Sequence, residues 1–164
     1  MKTLYLIGRT MGVGKTSVCQ QLKKELPDSV FLDADWCWDA DPFQVTEETK
    51  AMVLRNICFL LNSFLHCSAY ANVIFCWVMH EQSIVDSILD ALDTDACRVI
   101  KLSLTANAET VQSRLSADVA AGIRTADVIE RSLARIGLYD ALDTLKLDTN
   151  GKSVSEIVNE IIML

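Results

Sequence analysis

LYLIGRTMGVGKTSVCQQL, residues 4–22, decides the fold. Four apolar residues, Leu4 to Ile7, stop at Gly8, and a loop with Gly12 and Gly14 leads into Lys15 and Thr16. Val18 and Leu22, with Cys19 beside them, then recur at helical spacing. A strand, a glycine loop, Gly-Lys-Thr and a helix make a phosphate-binding loop. The physical reason is access. Backbone N–H groups of the loop and the helix N-terminus converge on an anion that Cβ atoms would hold away. On this reading Gly12, Val13, Gly14, Lys15, Thr16 and Ser17 bind nucleotide. Lys15 carries the mobile charge for the outer phosphates, and the Thr16 hydroxyl is a Mg²⁺ ligand. An ordinary βα turn is the plainer alternative, and Gly-x-Gly-Lys-Thr opening a helix argues against it.

The pattern G-x-x-x-x-G-K-[ST] has its first glycine at position 9. This chain has Arg9 there, and its glycine sits one step early at Gly8. If that position needs a positive φ, Arg9 strains the loop; if it takes extended angles, Arg9 is tolerated and adds charge.

Composition narrows the class. The chain has 164 residues, 51% of them hydrophobic and 23% charged, which fits one globular domain, residues 1–164. A net charge of −7 gives no reason to expect nucleic acid as partner. Six cysteines are scattered without Cys-x-x-Cys and fall mostly in apolar runs. They read as buried thiols of a reducing, cytoplasmic protein rather than as zinc ligands. The longest apolar run, residues 73–79, is too short to span a membrane, and strand one leaves no room for a signal peptide.

Apolar runs and helical stripes alternate along the chain. Strands are expected at 3–7, 30–32, 73–79, 98–104 and 145–147. Helices are expected at 15–26, from Thr46 as N-cap to about 66, through Ile84, Ile88 and Leu92, and through Ala108, Val111 and Leu115. Another follows Gly122, with Thr125 as a candidate cap, and Ser153-x-x-Glu156 is a capping box opening the last. Such βα units imply a five-stranded parallel sheet with helices on both faces and ligands at the C-terminal strand ends.

That edge gathers the candidate chemistry. Asp33 and Asp35 follow strand two, where one carboxylate serves Mg²⁺ or its waters and the other orients an acceptor hydroxyl. A turn-capping role is the plain alternative. Strand three ends in His80-Glu81 without an aspartate, which shifts the metal-side carboxylate to Asp33. His80 is an acceptor contact or a packed turn residue. Trp36 and Trp38 stack on an acceptor or belong to the core. Arg114, Arg124, Arg131 and Arg135 include two that share a helical face, Arg131 and Arg135. At least two of the four are expected to meet phosphate, with Arg131 as the catalytic choice, unless neighbouring carboxylates take them.

GRTMGVGKTSV, FLDADW, LSLTANAETVQSRL and KLDTNGKSVSEIVNEI together resemble the small P-loop kinases: nucleotide, shikimate, gluconate and adenylylsulfate kinases. The resemblance covers nearly the whole chain. It implies a three-layer kinase fold with a short arginine-bearing lid at about 115–135, ATP and Mg²⁺, and phosphotransfer to a small-molecule hydroxyl. It places Asp33 near Mg²⁺, Asp35 near the acceptor hydroxyl and Arg114 over adenine or phosphate. Asp148, Thr149 and Asn150 then form the purine-side loop. The three-glycine acceptor loop of shikimate kinases is missing, and WVMHEQS stands there. A weaker similarity, to tunicamycin-resistance-type ATP-binding proteins, rests on the strand-three tip with its His, ETVQSRL and DTN. The rival reading is a nucleotide-binding module with impaired or absent phosphotransfer. Oligomeric state stays open.

Overall fold

The computed structural model describes residues 1–12 and 14–164, with Lys15 described by its backbone alone. The elements in order are β1 (Lys2–Arg9), α1 (Lys15–Glu25), β2 (Ser29–Asp33), a 3₁₀ helix (Ala34–Trp38), α2 (Glu47–His66), β3 (Asn72–Trp77) and α3 (Gln82–Asp90). Then follow β4 (Cys97–Thr105), α4 (Ala108–Ala120), α5 (Asp127–Arg135), a second 3₁₀ helix (Ile136–Ala141), β5 (Leu145–Asp148) and α6 (Val154–Ile162).

The five strands form one parallel sheet in the order β2-β3-β1-β4-β5. β1 is central: Thr3 faces Asn72 on one side and Arg98 on the other. Residues 73–76 of β3 are all buried, as a strand covered on both faces requires. Alternation along β1 sorts the two cores. Tyr5 and Ile7 pack with Val18 and Leu22 of α1, Val111 and Leu115 of α4, and Ile157, Val158 and Ile161 of α6. Leu4 and Leu6 pack with Val53, Ile57, Leu61 and Leu65 of α2 and with Val85 and Ile88 of α3. Each fully buried Leu, Ile or Phe contributes about 1.5–3 kcal/mol.

Local signals set the helix starts. Thr46 and Ser153 both form capping boxes, with Thr49 and Glu156 as reciprocal partners. Asn107 caps α4 by accepting from the Thr110 N–H. Thr125 does not cap α5: the N-cap is Ala126, already helical, and the Thr125 hydroxyl donates to the Asp127 carboxylate instead. Strand three stops at Trp77, short of the expected Met79, whose side chain packs under Gly8. Among the described residues no helix is long and apolar enough to cross a membrane.

Candidate active site

The glycine loop leaves β1 and enters α1 at the C-terminal edge of the sheet. Gly12 has φ 83° and Gly14 φ 84°, left-handed angles that favour glycine. At Gly12 space is also short, since a Cβ there would lie 2.8 Å from Leu115 Cγ of α4. The Thr16 and Ser17 side chains are exposed in the first turn of α1. Val13 and the Lys15 side chain, both expected to bind nucleotide, lie outside the described residues.

Arg9 ends β1 opposite Leu104, in extended strand backbone, so the feared left-handed strain does not arise. The consequence lies in its side chain. Strand alternation turns residue 9 to the face of Tyr5 and Ile7, and Arg9 is 0% exposed. Its Nη2 is 4.0 Å from Cys76 Sγ, and Nε and Nη1 have no hydrogen-bond partner.

β2 delivers the carboxylates to the same edge. Asp33 is 3% exposed and accepts from the Asp35 N–H at 3.1 Å, capping the first 3₁₀ helix. Asp35 is exposed. Cys19 of α1 lies against Cys76 and is influenced by both Arg9 and Asp33. Its hydrogen bond with Cys76, and then burial, push its thiol well above the ordinary range. Asp33 and Thr16 supply oxygen donors, the type a hard divalent cation takes. Among the described residues there is no group of three His, Cys, Asp or Glu that could hold a metal.

The aromatic residues divide. Trp36 is 55% exposed, packs edge-to-face on Phe31 at 5.2 Å, and lines a groove with Leu32, Asn56 and Phe59. Neither Asp33 nor Asp35 lines that groove. Trp38 packs on Phe43 at 4.9 Å. His80 is half-buried, with Nε2 3.4 Å from Glu81 and Nδ1 unpartnered. Burial, and then Arg135, hold its pKa below the usual imidazole value.

Residues 115–135 lie over the loop. The Thr10 hydroxyl donates to the Ser132 carbonyl at 3.4 Å, and Arg124 Nη1 touches Met11 Sδ at 3.5 Å. Carboxylates take two of the four arginines: Arg124 pairs with Asp118 at 3.1 Å, and Arg131, 57% exposed, with Asp127 at 2.8 Å. The structure therefore turns Arg131 into a surface pair of its own helix instead of bringing it to the loop. Arg135, one turn on, acts on both His80 and Tyr139. Arg114 is half-buried and has no ion pair among the described residues.

Sequence reasoning missed Tyr139. It is 2% exposed, its hydroxyl is unpartnered, and burial pushes its pKa far up against the pull of Arg9 and Arg135. Tyr139 also lines a cleft of about 300 Å³ with Thr10, Asn107, Asp148 and Asn150. Asp148 accepts from the Asn150 backbone and side chain, and Asn150 accepts from the Asn107 N–H. Thr149 is buried, with N–H and hydroxyl both donating to the Thr105 carbonyl, so its side chain does not line the cleft.

A family model described as an AAA domain matches residues 6–133, from β1 through most of α5. The chain belongs to that family. Among solved structures it is similar to a sugar kinase from a Janibacter species, with TM-score 0.74 and 16% identity over 99% of this chain and 94% of the other. A gluconokinase from Sinorhizobium meliloti gives TM-score 0.70 and 15% identity over 98% and 90% of the two chains. The tunicamycin resistance protein of Deinococcus radiodurans gives TM-score 0.70 and 17% identity over 99% and 95%. A comparison with curated proteins found no match. The fold is that of the small P-loop kinases, as the four quoted segments imply.

Proposed function

We propose that residues 1–164 form one domain that transfers the γ-phosphoryl group of ATP to a hydroxyl of a small molecule. The observation that carries this is the meeting, at one sheet edge, of a glycine loop with two left-handed glycines and the Asp33–Asp35 pair. Loop N–H groups and Lys15 would hold the phosphates, with Thr16 and Ser17 at the helix start. Asp148 and Asn150, which line the cleft, would form the purine-side wall, with the Thr149 side chain turned away from it. Asp35, exposed, would orient the acceptor hydroxyl and take its proton as the new O–P bond forms and the bridging bond to ADP breaks. Trp36, Trp38 and His80 are the acceptor-side candidates. Arg114 and Arg135 are the lid cations that would face developing charge.

Thr16 and Asp33 would hold Mg²⁺, which when bound neutralises charge on the phosphates. Asp33 is suited to that place because its buried carboxylate is fixed by the cap it forms with the Asp35 N–H. The fold's kinase neighbours and a negative net charge support an enzyme of small substrates, which we place in the cytoplasm, rather than a nucleic-acid partner.

Calorimetric titration of ATP, GTP and ADP with Mg²⁺ tests the first half. Micromolar ATP binding is expected, and an acceptor screen then follows ADP release. A second reading, a nucleotide-binding module without phosphotransfer, is favoured by the loss of Arg124 and Arg131 to ion pairs. It requires ATP binding with no hydroxyl compound raising ADP release above slow hydrolysis.

A further inference from the structure

Three polar groups near the loop are enclosed without partners: Arg9 Nε and Nη1, the Tyr139 hydroxyl and His80 Nδ1. They lie around the end of β1: Thr10, next to Arg9, lines one cleft with Tyr139 and bonds to Ser132, one turn before Arg135. In keeping with this, Arg9 and Arg135 both act on Tyr139, and Arg135 acts on His80. Arg135 has no ion pair among the described residues. Of the carboxylates around these groups, Glu81 engages His80 and Asp33 caps the 3₁₀ helix. A fully enclosed guanidinium with two idle nitrogens is among the most unfavourable arrangements a core can hold. Such a group persists where it meets a ligand.

We propose that Arg9, Tyr139 and Arg135 form a second anion site, separate from the N–H groups of the glycine loop, that holds one phosphate-sized oxyanion beneath α5. The chemistry is specific. A guanidinium edge offers two parallel N–H donors to a tetrahedral or carboxylate oxyanion, and a phenol adds a third. Arg9 has no exposed surface, so the site closes over its ligand. α5 rests on this core through the Thr10–Ser132 hydrogen bond and the packing of Val128, Ile129 and Leu133, so entry of the oxyanion requires that helix to shift. The oxyanion has two possible sources: the terminal phosphoryl group of the nucleotide, or an anionic group on the acceptor. The nucleotide source rests on the phosphotransferase reading; the site itself does not.

The test is calorimetry on the full chain, wild type, Arg9→Met and Tyr139→Phe, with Mg²⁺. The probes are inorganic phosphate, ADP and a non-hydrolysable ATP analogue. If the site takes the nucleotide's terminal group, wild type prefers the analogue to ADP at least tenfold, and both variants lose that preference while keeping ADP affinity. If it takes an acceptor group, inorganic phosphate binds the analogue complex of wild type and binds both variants at least tenfold more weakly. Equal affinities of wild type and variants for every probe would overturn the site while leaving the kinase reading intact. Phosphate binding that needs Arg9, with no nucleotide binding at all, would keep the site and sink the kinase reading. No binding of any probe by wild type would remove both. Tyr139→Phe deletes one oxygen and keeps the ring, so it decides the matter even if Arg9→Met fails to fold.

Discussion

Gly12 and Leu115 meet so closely that a Cβ on Gly12 would lie 2.8 Å from Leu115 Cγ. The glycine loop and the helix leading to the lid are thus fitted to one another. Gly12→Ala adds that overlap to a φ of 83° and should destabilise the protein by about 1–3 kcal/mol. Urea denaturation measures it. Adding Leu115→Ala should relieve the overlap but not the backbone strain, so the two substitutions will not be additive. Additive losses would mean that the loop moves away from Leu115 at no cost.

Arg9→Met should leave the ligand-free protein as stable or make it more stable, by up to about 4 kcal/mol. Most buried substitutions act in the opposite direction. A fall in the melting temperature would mean that the guanidinium has partners that offset its desolvation.

His80 makes stability depend on pH. Burial, and then Arg135, lower its pKa in the folded state. Between that lowered value and the ordinary imidazole value near 6.5, the unfolded chain holds more protons. Stability from this residue is therefore complete above about pH 6.5 and declines as pH falls through that window. His80→Gln should flatten the stability profile there, checked by denaturation at half-unit pH steps. An unchanged slope would assign the effect to other groups.

Ser153→Ala should cost about 1 kcal/mol, because Ser153 accepts from the Glu156 N–H and Glu156 returns the bond to the Ser153 N–H. The loss should be local, seen as faster amide exchange in the first turn of α6. Glu156→Gln keeps the geometry and should lose less.

Asp35→Asn should leave ATP affinity within about twofold while product formation falls at least a hundredfold. Asp35 is exposed, so the melting temperature should hold. Equal loss of binding, or wild-type turnover, would take Asp35 out of the acceptor role.

Element order was readable because each apolar run ends in a turn or cap residue, as Ile7 ends at Gly8 and the last helix opens at Ser153. Strand order was not, since β1 pairs with segments around residues 72 and 97 that no local pattern names. Arg9 was noticed for its backbone, yet the informative property was parity. Residue 9 shares the face of Tyr5 and Ile7, and counting by twos would have turned it inward. Arg131 shows the opposite case: its charge suggests a phosphate contact, yet Asp127, four residues earlier, pairs with it at the surface. Tyr139 had no signal, because the 3₁₀ helix that buries it follows α5 without a break in pattern.

The central position of β1 also sets an order of assembly. The strand that leads the chain has its two flanks filled by β3 and then β4, so Lys2 waits for Cys97. During synthesis the glycine loop exists long before the sheet edge that supports it is closed. Until β4 emerges, one side of β1 presents unpaired backbone in its most apolar stretch. The segment that would bind nucleotide is thereby the one most in need of protection on the ribosome, and slowing elongation between β3 and β4 should lower the soluble yield.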